Sequence, residues 1–173
     1  MRMDYTYCYT SPLGVMTLAS DGEALIGLWF EGQKHFPRDL TGGSTEAELP
    51  VFTQTCEWLD TYFSGREPCF IPPLRLHTTP FRKAVCDILL TIPYGQTMTY
   101  GAIANILAEQ RGIARMSAQA VGGAVGHNPV AIIIPCHRVI GSDGSLTGYA
   151  GGTDRKQRLL RLENCRMRAP KVK

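Results

Sequence analysis

Apolar and polar positions alternate along the first thirty residues of the chain. Tyr5, Tyr7 and Tyr9 stand two apart among polar or small residues, the period of a strand with one buried face. Ser11-Pro12-Leu13-Gly14 supplies a turn and Val15 to Ala19 a second strand; Asp21-Gly22 then marks a hairpin into a third strand, Leu25 to Phe30. Arg38 to Glu48, which includes Thr41-Gly42-Gly43-Ser44, predicts a polar surface loop. Between Val51 and Phe63 the period changes. Phe52, Cys56, Leu59 and Phe63 recur at helical spacing, and Ser64-Gly65 ends the helix. Pro72-Pro73 restricts Phe70 to Leu76 to an edge strand or an irregular linker. No catalytic pattern falls in this stretch, so residues 1–77 are expected to form a scaffolding domain of β-meander plus helix.

From residue 78 the pattern is mostly helical, predicting a second domain over 78–173. Thr79 can cap a helix that starts at Pro80 and carries Phe81, Ala84, Val85, Ile88, Leu89 and Ile92 on one side, until Pro93-Tyr94-Gly95 breaks it. Thr99 can cap a second helix with Ile103, Ile106 and Leu107. A polar connection from Glu109 to Met116 follows, and Ser117 can cap a third helix stopped by Gly126. Two short helices joined by a loop suggest a helix-turn-helix, with a connection longer than the usual tight turn. The third helix is nearly stripped of side chains: Ala118, Ala120, Gly122, Gly123 and Ala124. Two adjacent helical glycines cost roughly 1 kcal/mol each relative to Ala. Either close packing on a neighbouring helix or close approach to a ligand's backbone compensates. A bare helix could enter the minor groove of DNA, which is only about 6 Å wide. On a last helix, capped by Thr153 or Asp154, Lys156, Leu159, Leu160 and Glu163 share a face turned toward the core.

Between these helices lies Ile132-Ile133-Ile134-Pro135-Cys136-His137-Arg138-Val139-Ile140. Its β-branched run predicts a buried strand, and its end is unusual. A thiol at the mouth of an apolar run, next to an imidazole, suggests a positioned nucleophile. For a bare pair, a buried structural cysteine with a chance histidine neighbour is the more ordinary explanation, and the rest of the chain must decide.

Composition narrows the class. With 173 residues, 44% hydrophobic and 19% charged, the chain can bury the cores of one domain or two small ones. Met1-Arg2-Met3-Asp4-Tyr5 lacks the apolar stretch of a signal peptide, and no apolar run is long enough for a membrane span, so a cytoplasmic protein is expected. Six cysteines without paired spacing then read as reduced thiols. There is no Cys-x-x-Cys, and the four histidines do not pair at helical spacing, so no metal site is expected. Charge is divided unevenly. Residues 1–80 carry five Lys/Arg against ten Asp/Glu, or −5; residues 81–173 carry thirteen against five, or +8. Removing the tail cations Arg166, Arg168, Lys171 and Lys173 still leaves +4. A basic half favours a polyanionic partner.

Pro135-Cys136-His137-Arg138-Val139 resembles the signature of the O6-alkylguanine-DNA alkyltransferases, also called methylated-DNA–protein-cysteine methyltransferases. Thr79-Pro80-Phe81, Ile92-Pro93-Tyr94-Gly95, Ala120-Val121-Gly122-Gly123-Ala124, Asn128-Pro129 and Gly148-Tyr149-Ala150-Gly151-Gly152 extend the resemblance over residues 79–165. Residues 1–77 match in outline. The resemblance implies an α+β protein: a ribonuclease-H-like first domain and a mostly helical, winged-helix-like second one with the helix-turn-helix. It implies single-turnover repair of duplex DNA through the minor groove, with the damaged base flipped out and its alkyl group left on Cys136. The substrate is O6-alkylguanine, with O4-alkylthymine as a second candidate; no cofactor is needed, and a monomer suffices. In that scheme His137 is the base, acting through a water, and Glu163 orients it; their family separation of Cys and Glu, 163 − 136 = 27, is kept. Asn128 braces the turn before the active-site strand, and Tyr100 helps flip the nucleotide and donates to the guanine. Tyr149, Val139 and Ala150 wall the pocket, and Arg138 braces the domain junction. Ser117, Ala118, Gln119, Ala120 and Gly122 face the DNA, with Arg115 near a phosphate.

Gln119 departs from the family, since many members place an arginine finger there; glutamine lacks its charge and planar stacking. Two other classes compete. An alkyltransferase-like lesion binder would usually lack the reactive cysteine. A cysteine hydrolase using Cys136, His137 and Glu163 leaves the stripped helix and the basic half unexplained.

Overall fold

The computed structural model describes residues 5–41 and 45–163. The tail cations, Cys165, and Gly42-Gly43-Ser44 of the expected loop lie outside the described residues. The chain divides into two compact units, one of residues up to His77 together with Pro129–Ala131, the other of Thr78–Asn128 and residues from Ile132 onward.

In the first unit, β1 (Tyr5–Ser11), β2 (Gly14–Ser20) and β3 (Leu25–Phe30) form the expected antiparallel meander. The stretch expected to be only a surface loop holds a 3-10 turn, Arg38–Thr41, and a two-residue strand β4 (Thr45–Glu46). β4 pairs parallel with β1, so the sheet order is β3-β2-β1-β4. Leu40 of that turn is buried in a cluster with Ala19, Ile26 and Trp29. All six residues of β3 are buried, and its outer edge is not left open. Leu25 N donates to Pro73 O and Arg75 N to Leu25 O on one stretch, while Leu28 exchanges bonds with Pro129 and Ala131 on the other. Covering an edge strand this way removes a template for unwanted pairing.

Helix α1 (Pro50–Phe63) buries Val51, Phe52, Thr55, Trp58, Leu59 and Tyr62, a face centred one residue earlier than Phe52-Cys56-Leu59-Phe63 predicts. Thr55 is tolerated there because its hydroxyl donates to Val51 O at 2.7 Å. Trp58 and Tyr62 stack at 5.3 Å, and this pairing of large rings outweighs the thiol of Cys56 in setting the helix rotation.

The second unit holds α2 (Pro80–Leu89), α3 (Tyr100–Arg111), α4 (Ala118–Gly126) and α5 (Thr153–Leu162), with β5 (Met98–Thr99) and β6 (Val139–Ile140) as a short parallel pair. Thr79, Thr99 and Ser117 cap α2, α3 and α4, each side chain accepting from the backbone N–H three residues on. Three expectations are corrected. α2 stops at Leu89, and Ile92 is buried in the turn beyond it. α3 runs on to Arg111, so the connection to α4 is shorter than Glu109 to Met116. The N-cap of α5 is Gly152, at φ 92°, with no side-chain cap from Thr153 or Asp154.

The largest correction concerns the active-site run. Ile132-Ile133-Ile134 is buried as predicted, yet it is a turn and not a strand. Ile132 adopts a left-handed φ of 68°, which for a β-branched residue costs about 1–3 kcal/mol and persists only under strong packing. Burial of all three isoleucines provides that packing.

Candidate active site

Pro135 turns the chain into a 3-10 turn, Cys136–Arg138, which leads into β6. Cys136 is buried at 4% exposure. Asn128, just past the end of α4, donates one amide N–H to Ile134 O at 2.8 Å and one to Cys136 Sγ at 3.0 Å. Asn128 thus fixes the turn and the sulfur with one side chain. Burial pushes the Cys136 thiol up, while the Asn128 bond and the charge of Lys156 pull in the other direction. A hydrogen bond to sulfur and a nearby cation both favour thiolate.

His137 is fully buried, and its Nε2 lies 2.6 Å from Glu163 Oε1. Glu163 stands at the C-cap of α5, where the inward face carrying Lys156, Leu159 and Leu160 delivers it to the core. Its carboxylate also receives Arg138 Nε at 2.9 Å on Oε2, Arg138 Nη2 at 3.1 Å on Oε1, and Gly95 N at 3.2 Å on Oε2. Burial alone would raise this carboxyl, but His137 and Arg138 outweigh it and hold Glu163 down at about 2. Burial lowers His137 below its ordinary value, more than the Glu163 contact raises it. With Nε2 facing a carboxylate, Nε2 carries the proton of the neutral ring and Nδ1 is the basic nitrogen. Besides Glu163, Arg138 reaches Ile92 O at 2.7 Å.

Tyr100 is the first residue of α3, and its hydroxyl donates to Thr147 O at 2.8 Å. Gly122 of α4 faces the Tyr100 ring, while Gly123 faces open space. Packing on a neighbouring helix therefore does not account for Gly123. α4 buries Val121, Ala124 and Val125 and exposes Ala118, Gln119 and Ala120, with Ser117 and Arg115 exposed before it. Val139 and Tyr149 are buried and Ala150 half-buried. The Tyr149 hydroxyl is buried with no hydrogen-bond partner among the described residues.

One residue of the site had no role assigned from sequence. Lys156 is fully buried on α5, and its ammonium donates to Val139 O and to Thr147 O. Thr147 O therefore accepts from both Tyr100 and Lys156, clamping the loop after β6 onto α3 and α5. Burial brings the Lys156 amine down to about 8, with the Cys136 sulfur acting to raise it. A lysine in the apolar stripe of a helix was the available signal. Lys156→Met leaves the buried Val139 carbonyl without this donor, while Thr147 O keeps the Tyr100 hydroxyl, a loss of about 1–3 kcal/mol. The melting temperature is expected to fall by about 5 °C in a calorimetric scan.

The site is that of a DNA-repair protein with a cysteine acceptor. Residues 80–165 match the family model "6-O-methylguanine DNA methyltransferase, DNA binding domain", and residues 3–76 match "6-O-methylguanine DNA methyltransferase, ribonuclease-like domain". The chain belongs to the 6-O-methylguanine DNA methyltransferase family. It is 41% identical over 160 residues to a methylated-DNA–protein-cysteine methyltransferase of Haemophilus influenzae, covering 92% of this chain and 85% of that one. A protein of the same name from Mycobacterium bovis is 44% identical over 156 residues, 90% of each chain. The crystal structure of Mycobacterium tuberculosis OGT in complex with DNA superposes with a TM-score of 0.79 at 43% identity, covering 92% of each chain. No helix among the described residues is long and apolar enough to cross a membrane.

Proposed function

We propose that this chain repairs alkylated DNA by moving the alkyl group from O6 of guanine onto Cys136, one group per protein molecule. The observation that carries this reading is a buried thiol held by Asn128 beside a hydrogen-bonded imidazole and carboxylate, in the same unit as a capped helix with a bare outer face.

In this scheme α4 lies in the minor groove through Ala118, Gln119, Ala120 and the glycines, with Ser117 and Arg115 near the backbone phosphates. The damaged base leaves the stack and enters a pocket walled by Val139, Tyr149 and Ala150. The Tyr149 hydroxyl then gains a polar partner, recovering the cost of a buried orphan. His137 Nδ1 takes the Cys136 proton, directly or through a water, while Glu163 holds the ring. Sγ bonds to the alkyl carbon as the carbon–oxygen bond breaks, and its electron pair goes to guanine. Guanine takes a proton from the Tyr100 hydroxyl and leaves neutral, and the proton held by His137 restores the phenol. The resulting thioether has no route back to thiol, so the protein is consumed. A single-use acceptor works as a monomer.

The test is a duplex oligonucleotide containing O6-methylguanine, incubated with the protein and followed by mass spectrometry of its peptides. One methyl on Cys136, in amount equal to the protein consumed, is expected. Catalytic turnover would instead identify a hydrolase, and tight binding without transfer a lesion reader. Gln119→Arg should bind duplex more tightly and steepen the salt dependence of binding by about one unit of slope, read from a titration at several salt concentrations.

A further inference from the structure

The side chains of His137 and Arg138 both bind the Glu163 carboxylate, and of the two His137 alone has a part in the scheme above. His137 and Gly95 N each donate one hydrogen bond to the carboxylate and Arg138 donates two, with Arg138 spanning both oxygens. Arg138 is itself immobilised. It is buried, its Nη1 is tied to Ile92 O, and its guanidinium lies 5.7 Å from the Tyr94 ring centroid. A planar fork with this geometry on a carboxylate is a permanent charge partner, because the guanidinium does not lose its proton.

Resting on the assignment of His137 as the base, we propose that Arg138 is a positioning residue for the transfer reaction: by taking both oxygens of Glu163 it makes proton uptake by His137 conditional on negative charge forming at Cys136. The charges around the ring support this. Acting on the His137 ring are Glu163 at the end of α5, Arg138 in its own turn and Lys156 on α5, and Cys136 precedes it in the chain. With Arg138 in place, Glu163 is already neutralised, and a protonated His137 would add to two buried cations. A thiolate at Cys136 balances it. The ring therefore stays neutral at rest and takes a proton when the sulfur gives one up: S–H is broken, Nδ1–H is formed, and no net charge enters the site. Without Arg138, Glu163 would pair with His137 alone and stabilise a resting imidazolium. The base would then be occupied before the reaction began.

The test uses the full chain and a methylated duplex. Single-turnover transfer is followed from pH 5 to pH 9 for the native protein, Arg138→Gln and Arg138→Lys, alongside nitrogen NMR of the histidine rings. In the native protein His137 is expected to remain neutral with its proton on Nε2 down through the ordinary imidazole range. Arg138→Gln is expected to move the acid limb of the profile upward by about one pH unit, a roughly tenfold relative loss below the limb, whatever the height of its plateau. Arg138→Lys, which keeps the charge, is expected to return the limb toward its native position. A rate lowered equally at every pH, with the limb unmoved, would mean that Arg138 only supports the fold and would overturn the proposal. So would a native His137 that is an imidazolium above pH 7, a result that needs no variant to fold. These failures leave methyl arriving on Cys136; absence of that methyl in the native protein overturns the alkyl-transfer reading instead.

Discussion

Glu163→Gln is expected to lower the melting temperature by about 10 °C and the transfer rate by about 10²-fold. The large stability effect arises because the substitution keeps the shape but removes the carboxylate paired with the buried Arg138, and breaking a buried pair costs about 3–5 kcal/mol. The amide must also offer an N–H where Arg138, Gly95 and His137 all present donors, so at least one donor loses its acceptor. Calorimetry and single-turnover transfer read the two effects separately. The same carboxylate is expected to make the native protein acid-labile. Glu163 has a folded value of about 2, below that of an unfolded carboxyl, so its contribution is present above the unfolded value and is lost as pH falls toward 2. His137 adds to this with the same sign. Its folded value is depressed, so below about pH 6.5 the unfolded chain takes up a proton that the folded one refuses. Melting temperature is therefore expected to decline in two stages on acidification, and Glu163→Gln to remove the lower one.

Gly148→Ala should reduce transfer by about 10²-fold while leaving the N-terminal unit intact. Gly148 has φ 83°, and a Cβ built there would stand 2.7 Å from the Tyr100 hydroxyl and 3.5 Å from Cζ of its ring. The phenol has little room to yield, because its oxygen is bonded to Thr147 O, which Lys156 also holds. Either the ring or the loop must move, and with it the proton donor and the wall of the pocket. Positive φ with a Cβ adds a stability cost of about 1 kcal/mol. Transfer kinetics and DNA affinity measured together check this. Native affinity with slow transfer is expected; native transfer would mean the contact is not part of the reaction.

Much of this molecule is legible in its residues because the determinants are local. Alternation and turn chemistry announce β1 to β3, and Thr79, Thr99 and Ser117 announce three helix starts, since a cap and its target N–H lie three residues apart. The stripped face of α4 is also local, a matter of side chains that are not there. The inward stripe of α5 places Lys156 and Glu163 in the core from periodicity alone. What sequence spacing misjudges has non-local causes. The run Ile132-Ile133-Ile134 has strand composition, and packing around it holds Ile132 in a left-handed turn that no propensity favours. β4 is a strand because β1 offers it a partner, and α1 is rotated by the stacking of Trp58 on Tyr62.

The chemistry divides the same way. That Cys136 and His137 are adjacent, with a carboxylate 27 residues on, can be read from the chain. Which groups share Glu163 cannot, because Arg138, Gly95 and Ile92 come to the site from different segments and meet only when the second unit closes on itself. Spacing along a helix or strand sets which side chains point inward; hydrogen-bond partners and buried charge depend on distances of about 3 Å between segments far apart in sequence, and those exist only in the packed fold.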